Sequence, residues 1–326
     1  MTDTSNRLLT FIDIPILLLD DDRVTFANSA AKSLLGQHIE NQNVRLALRD
    51  PRAVQLFREG KDGKVQITGL SVPGSVWEMD YHVLDGDKRM IALNDMSKQT
   101  SVARAHADFV ANASHELRTP LTAILGYVET LKDAKAGGDV ATRNRFLDII
   151  GKEAIRMQAL VADLMSLSRI EAVRHEAPTD RIELVALTRE VIAEHPRDEA
   201  VSLEVAAEAI TVAGDKGQLG QAIRNLIDNA AKYGKSGKGV EVRIDVGEHG
   251  WVTLAVIDHG EGIAPEHLPR LTERFYRTDT ARSRAEGGTG LGLAIVKHIV
   301  ERHRGRFDIS SRLNEGTTAM IMLPTA

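Results

Sequence analysis

Cysteine is absent from the 326 residues. That excludes disulfides, thiolate metal sites and cysteine-based redox sensing, and it fits a reducing cytoplasm. Long apolar runs are missing too. A membrane span needs roughly 18–20 such residues, and the best candidate, Ile14-Pro15-Ile16-Leu17-Leu18-Leu19, is short and bounded by Asp13 and Asp20. No secretory signal is visible, since Asp3 comes early and no basic region precedes an apolar stretch. The chain as given therefore reads as cytoplasmic without a membrane span, or as membrane-associated through partners or an upstream segment. Nor does one sign of charge dominate. The net charge of −5 gives no basic footprint, so nucleic acid is not an expected partner. What remains is a hydrophobic fraction of 43%, sufficient for ordinary cores, and length for about two or three domains.

Local patterns divide the chain into three parts: residues 1–98, 99–175 and 176–326. The first reads as a small α/β module. Ile16–Asp20 and Val24–Ala27 are strand-like around the turn Asp20-Asp21-Asp22. A short helix, Ser29 to Leu35, ends at Gly36. Strand-like runs follow at Lys64–Thr68, Val76–Val83 and Arg89–Leu93, punctuated by Gly63, Gly74 and Gly86. The second part is helical. Leu117, Ile124 and Leu131 recur every seven residues, as do Leu121 and Val128, forming a coiled-coil-like seam. The pattern stops at Ala136-Gly137-Gly138 and resumes with Ile150, Met157 and Leu164 on one row and Phe146, Leu160 and Leu167 on another. Two antiparallel helices with such wide apolar stripes cannot hide them alone. Pairing two hairpins into a four-helix bundle would; packing against the chain's own domains is the plainer alternative. The third part alternates strand-like runs (Val201–Val205, Ile210–Val212, Val240–Val246, Val252–Asp258, Phe307–Ser310, Thr318–Leu323) with helical ones (Leu184–Glu194, Gln218–Tyr233, Leu291–Glu301). That predicts an α/β sandwich with helices on one face of a mixed sheet. The whole is an α+β multidomain chain.

Residues 112–120 read Asn-Ala-Ser-His-Glu-Leu-Arg-Thr-Pro. At about 100° per helical residue, His115 sits about 200° from Leu117, away from the seam and toward solvent. An exposed neutral imidazole is a good nucleophile. Glu116 can accept the proton shed on attack or hold the ring's tautomer. Pro120 lacks an N–H and is expected to bend the helix just beyond the histidine. A lone His-Glu pair on a helix is most often solvated surface; the downstream boxes change that reading.

Asn225 and Asn229 are four apart and share a helix face. Carboxamide oxygens are hard ligands suited to Mg²⁺. Lys232 can neutralise phosphate and Tyr233 can pack on a base. Asp258 ends an apolar strand and is followed by Gly260 and Gly262. A carboxylate there can accept a hydrogen bond from an exocyclic amine, and glycine lets backbone approach a ring. Gly288-Thr289-Gly290-Leu291-Gly292 opens a helix whose N–H groups suit phosphate. No Gly-Lys-Ser/Thr follows, so it is not a Walker loop, and the spacing does not fit a dinucleotide fingerprint. Together these boxes point to ATP bound in the third part and His115 phosphorylated by it.

These motifs, in this order from Phe109 to Leu323, resemble the histidine kinases of two-component systems with a HisKA-type helix pair. The resemblance implies a PAS-like sensor, a dimerisation hairpin and a GHKL-type ATP-binding domain. It implies His115 as phospho-acceptor, Glu116 as general base, and Thr119 positioning water for dephosphorylation of the partner. It implies adenine bound by Asp258 with Ile263 lining the pocket, Mg²⁺ on Asn229, and Arg277 of Phe275-Tyr276-Arg277 reaching the γ-phosphate. Thr278 to Glu286 would be the lid over ATP. Gly316-Thr317 resembles a last minor box or is a plain hairpin turn. The expected partners are a second copy of the chain and a cognate response regulator that receives the phosphoryl group on aspartate. The run Phe26-Ala27-Asn28-Ser29-Ala30-Ala31 resembles PAS modules. Leaving aside His38 or His82 as haem ligands, both read as surface histidines. Residues 108–114, 126–131 and 164–171 resemble phosphate-regulon sensors of the PhoR type, which implies a PhoB-like regulator and phosphate-starvation signalling. Other readings are a cytosolic PAS-kinase of another pathway, a non-catalytic dimeric scaffold, and a gyrase- or chaperone-type ATPase. Intact His115, Asn229, Asp258 and Gly290 argue against the scaffold, and the His115 helix argues against the ATPase.

Overall fold

The computed structural model describes residues 8–84, 87–132, 139–173, 175–196, 200–234, 238–247, 250–278 and 288–325. Gly86, the Gly137-Gly138 turn and residues 279–286 of the expected lid lie outside the described residues. The chain divides into two compact units, residues 1–111 and 112–326.

In the first unit, β1 (Ile16–Asp20) and β2 (Arg23–Ala27) form a hairpin around Asp21, whose φ of 56° an Asp tolerates in a tight turn. β3 (Gly63–Thr68), β4 (Val76–Val83) and β5 (Lys88–Asp95) complete an antiparallel sheet of order β2-β1-β5-β4-β3. Alternation sets its buried face: Trp77, Met79 and Tyr81 on β4 point inward with Leu17, Leu19, Ile91 and Leu93. Two helices cover this face. α1 (Ser29–Leu35) is capped by Asn28, whose Oδ1 accepts the Ala31 N–H. α2 (Pro51–Glu59) was not expected from the sequence. Asp50 caps it, Pro51 starts it and Gly60 ends it at φ 58°, burying Ala53, Leu56 and Phe57. His38 is exposed, and His82 stands between Asp80 and Asp62 at the surface, which agrees with the surface reading of both.

α3 (Ser97–Lys132) contains Pro120 within one continuous helix, and α4 (Val140–Ala172) starts at the Asp139 cap. Tyr127 and Phe146 pack between them at 5.2 Å. Leu160, Leu167 and Ile170 are buried, whereas Leu121, Leu125, Leu147 and Ile155 remain exposed.

The rest of the second unit is a mixed sheet of order β11-β12-β10-β9-β7. Its strands are β7 (Val201–Val205), β9 (Val240–Val246), β10 (Trp251–Asp258), β11 (Arg306–Arg312) and β12 (Gly316–Pro324), with β7 and β9 parallel. Helices α5 (Leu184–Ala193), α6 (Lys216–Tyr233) and α7 (Gly292–Arg302) accompany it, and α6 packs on both α7 and β10. Buried Ile223, Leu226 and Ile227 of α6, Ile295 and Ile299 of α7, and Val252, Leu254 and Val256 of β10 make this core. The strand expected at 210–212 is β8 (Thr211–Ala213). It belongs to a separate two-stranded ladder with β6 (Arg181–Glu183), a strand too short to carry a periodic signal. No helix among the described residues is long and apolar enough to cross a membrane.

Candidate nucleotide and phospho-acceptor site

β10 delivers Asp258 to its end, 8% exposed. Its Oδ1 accepts the Gly260 N–H at 2.7 Å. Across the ladder its register partner is Thr317, which also donates to the carboxylate. Burial pushes the Asp258 carboxyl up from its ordinary value, and the hydrogen bonds from Gly260 and Thr317 act against that shift. Gly316-Thr317 is thus the start of β12, just past the 313–315 hairpin turn, and a neighbour of Asp258. Gly262 needs its φ of 69°, and a Cβ there would lie 2.0 Å from the Arg312 carbonyl oxygen. Ile263 N–H donates to Ser311 Oγ at 2.9 Å, which holds the loop to β11.

α6 supplies the opposite wall. Asn225 Nδ2 donates to the Gly292 carbonyl at 3.2 Å, clasping the start of α7. Asn229 Nδ2 stands 3.9 Å from the point where a Cβ on Gly292 would lie, so both carboxamides face that helix start. One turn on, Lys232 Nζ lies 5.1 Å above the Tyr233 ring. Lys232 Nζ, Tyr233 OH and Arg277 Nη2 converge on Gly288, at 2.9, 3.6 and 3.7 Å from its would-be Cβ. Two cations and a phenol gathered at a backbone with no side chain make a cluster suited to phosphate. The loop is pinned at its other end. Phe275 N–H donates to the Gly290 carbonyl at 2.9 Å; both residues have φ near +70°, 64° and 73°. A Cβ on Gly290 would sit 3.0 Å from Phe275 Cα. Buried Leu291 precedes α7.

His115 is exposed on α3. With Asn112 and Glu116 it lines one side of a cleft of about 310 Å³; Arg270, Glu273, Arg274, Phe275 and Tyr276 line the other. Tyr276 OH is 2.7 Å from His267 Nδ1, and the Arg270 guanidinium covers its ring at 4.2 Å. Thr119 Oγ1 donates to the His115 carbonyl at 3.2 Å, and the side chain remains exposed. The histidine therefore meets the aromatic segment that leads into the Gly288 cluster.

Several contacts had no signal in the sequence. Thr289 Oγ1 donates to Asp163 Oδ2 on α4 at 2.7 Å. Arg274 pairs with Glu171, also on α4. Arg156 pairs with Glu116 at 3.3 Å. Each joins residues far apart in the chain. Thr317 was the exception: its proximity to Asp258 follows from an antiparallel register.

The donor set fits the groups such a site implies. The buried carboxylate suits an exocyclic amine, and Lys232 and Arg277 suit phosphates. Among the described residues no group of three or more His, Cys, Asp or Glu side chains could hold a metal. A cation here would rest on a carboxamide oxygen, phosphate oxygens and water, which is how Mg²⁺ commonly binds.

Residues 214–326 match the family described as histidine kinase-, DNA gyrase B-, and HSP90-like ATPase. Residues 105–173 match the His Kinase A (phospho-acceptor) domain, and residues 5–68 match a PAS domain. The phosphate regulon sensor protein PhoR of Pseudomonas aeruginosa is 38% identical over 320 residues, covering 94% of this chain and 70% of that protein. The sensor-like histidine kinase SenX3 of Mycolicibacterium smegmatis is 34% identical over 303 residues, covering 88% of this chain and 78% of that protein. The crystal structure of histidine kinase ThkA in complex with response regulator protein TrrA shares the fold, with a TM-score of 0.54 at 19% identity over 98% of each chain. The chain belongs to the sensor histidine kinases of two-component systems, ATP-using protein-histidine kinases with a PAS domain, a phospho-acceptor helix pair and a GHKL-type ATPase domain.

Proposed function

We propose that His115 is the phospho-acceptor and that the donor ATP binds between α6, the Asp258–Ile263 loop and the Gly288–Gly292 turn. The reading rests on the cleft that His115 lines with Phe275 and Tyr276, the two residues that precede Arg277. Asp258 accepts a hydrogen bond from adenine, with Gly260, Gly262 and Ile263 shaping the loop and Tyr233 packing on the base. Asn225 holds the start of α7. Lys232, Arg277 and the N–H groups of Gly288, Thr289, Gly290, Leu291 and Gly292 take the phosphates. Asn229 would hold Mg²⁺, which would supply charge neutralisation at the phosphates. The His115 imidazole attacks the terminal phosphorus in line: an N–P bond forms, the P–O bond to ADP breaks, and Arg277 stabilises the leaving charge. Glu116 takes the ring proton. Thr119 orients water for the reverse, phosphatase reaction.

Three functional parts follow: a sensor in 1–98, phosphotransfer in 99–175 and nucleotide binding in 176–326. Exposed Leu121, Leu125, Leu147 and Ile155 support a homodimeric four-helix bundle that would cover them. The ThkA complex supports a response regulator as acceptor. The phosphate regulon sensor among its relatives supports a role in phosphate signalling; a PhoB-like regulator and a cytoplasmic site of action complete the proposal.

The test is incubation with γ-labelled ATP and Mg²⁺. An alkali-stable, acid-labile label that is lost in His115→Ala, with nucleotide still bound, is expected. A label that persists in that variant would overturn the assignment. Transfer rates to a panel of purified regulators then test the pathway; faster transfer to a regulator outside phosphate control would replace it.

A further inference from the structure

The general-base role of Glu116 leaves a question that α4 answers. Glu116 follows His115 on α3, and its side chain has three rotatable bonds. A carboxylate free to wander is a poor base, because proton transfer requires the acceptor within hydrogen-bond reach at the moment of attack. The carboxylate is not free. Arg156 Nη2 on α4 lies 3.3 Å from Glu116 Oε2 and bonds it across the two helices. Arg156 is itself held: Nη1 lies 3.7 Å from Glu153 Oε2, one turn earlier on α4. The Arg156 side chain is only 12% exposed, against 26% and 27% for the two glutamates. A cation shielded this well is screened less by salt than a surface pair. Its planar guanidinium spans the two carboxylates, Glu116 through Nη2 and Glu153 through Nη1.

The bond has a definite consequence. It fixes Oε2 on the Arg156 side of a carboxylate that lines the same cleft as His115. We infer that Arg156 is a positioning residue for autophosphorylation: it acts through Glu116, setting where the base sits relative to His115 while touching neither ATP nor the imidazole. The inference rests on the reading of Glu116 as the base and goes beyond it, since that reading asks nothing of α4. Glu153 has the subsidiary part of holding the guanidinium from behind. The arrangement also ties the geometry of the acceptor to the register of the two helices, because any sliding of α4 along α3 carries the Glu116 carboxylate with it.

The experiment measures autophosphorylation of the full chain at varied Mg-ATP for Arg156→Ala, Arg156→Lys, Glu116→Gln and the double variant Arg156→Ala/Glu116→Gln. Misplacement by about 1 Å costs on the order of a hundredfold, and a general base contributes roughly 10²- to 10⁴-fold. Arg156→Ala should therefore lose about ten- to a hundredfold in kcat, with KM for Mg-ATP within about twofold. Arg156→Lys should recover part of the loss. Because the two residues act as a unit, Arg156→Ala should cost little further in the Glu116→Gln background. Should Arg156→Ala fail to fold, Arg156→Gln, which keeps the stem without the charge, is measured in its place and read in the same way. A slow Glu116→Gln beside an Arg156→Ala of wild-type kcat overturns the positioning role alone. Losses that multiply in the double variant also overturn it. A Glu116→Gln enzyme of undiminished kcat overturns the base assignment, and the role of Arg156 with it.

Discussion

Thr289 donates a 2.7 Å hydrogen bond to Asp163, joining the glycine turn of the ATP-binding fold to the second helix of the phospho-acceptor hairpin across 126 positions of sequence. Burial raises the Asp163 carboxyl above its ordinary value, and the Thr289 bond opposes the shift. A folded value above the unfolded one means that the group's stabilising contribution is full below the unfolded value of 3.8 and is lost as pH rises through the folded value. Asp163→Asn removes the titration and keeps an acceptor for Thr289. Its melting temperature should gain on the wild type as pH rises from 4 to 7. A constant difference across that range would show that Asp163 is not held up by burial.

Asp258 offers a second separation, between binding and stability. It too is raised by burial, so its ionised form is costly to the folded state at neutral pH. Asp258→Asn should leave the melting temperature equal or higher. A carboxylate that accepts from adenine is nevertheless worth about 1.5–3 kcal/mol, or roughly tenfold to a hundredfold in affinity. Isothermal titration with ATP reads the loss. Unchanged affinity would remove Asp258 from the adenine contact.

Much of this fold could be read in the sequence, for local reasons. The alternation of Trp77, Met79 and Tyr81 marks β4, and the Asn28 cap and Gly36 stop mark α1. A spacing of four positions between Asn225 and Asn229 is enough to put both on one helix face. The missed elements were short. α2 has nine residues between its Asp50-Pro51 start and its Gly60 stop, and β6 has three. What periodicity cannot carry is side-chain pairing between distant elements. Glu116 and Arg156 are 40 positions apart, and Thr289 and Asp163 are 126 apart; no spacing rule connects them before the helices are placed.

Gly262 gives a test of the loop itself. Its φ of 69° is strained for any residue with a Cβ, and that Cβ would stand 2.0 Å from the Arg312 carbonyl oxygen. The left-handed backbone alone costs about 1–2 kcal/mol, and relieving the clash adds to it. Gly262→Ala should lower ATP-domain stability by about 2–4 kcal/mol in urea melts and weaken ATP binding. Wild-type stability would mean that the loop moves freely away from β11.

His303 should make the same unit acid-sensitive. It is 3% exposed. Asp215 N–H donates to its Nε2 at 2.9 Å, so Nδ1 carries the hydrogen that goes to the Ile299 carbonyl at 2.7 Å. Burial holds its value below 6.5, with Arg302 lowering and Asp215 raising it. A depressed folded value leaves the stabilisation intact above 6.5 and removes it as pH falls through the folded value. Melting temperature should drop between pH 7 and 5, and His303→Gln should flatten that slope from a lower starting point. An equal slope in the variant would place the sensitivity elsewhere.

Thr119 separates the two opposed activities. Its hydroxyl hydrogen goes back to the His115 carbonyl, but its oxygen keeps lone pairs, and the side chain is exposed beside the histidine. Phosphoryl transfer from ATP needs no water at that position, whereas hydrolysis of an aspartyl phosphate on a docked regulator does. Thr119→Ala removes the oxygen while keeping the helix, since alanine is the better helix former. Autophosphorylation should stay within about twofold, and removal of phosphate from the regulator should slow by about tenfold or more, as for loss of a group that orients the attacking water. Thr119→Ser, which restores the oxygen, should recover the rate. Equal dephosphorylation by Thr119→Ala and the wild type would leave Thr119 as a helix residue before a proline.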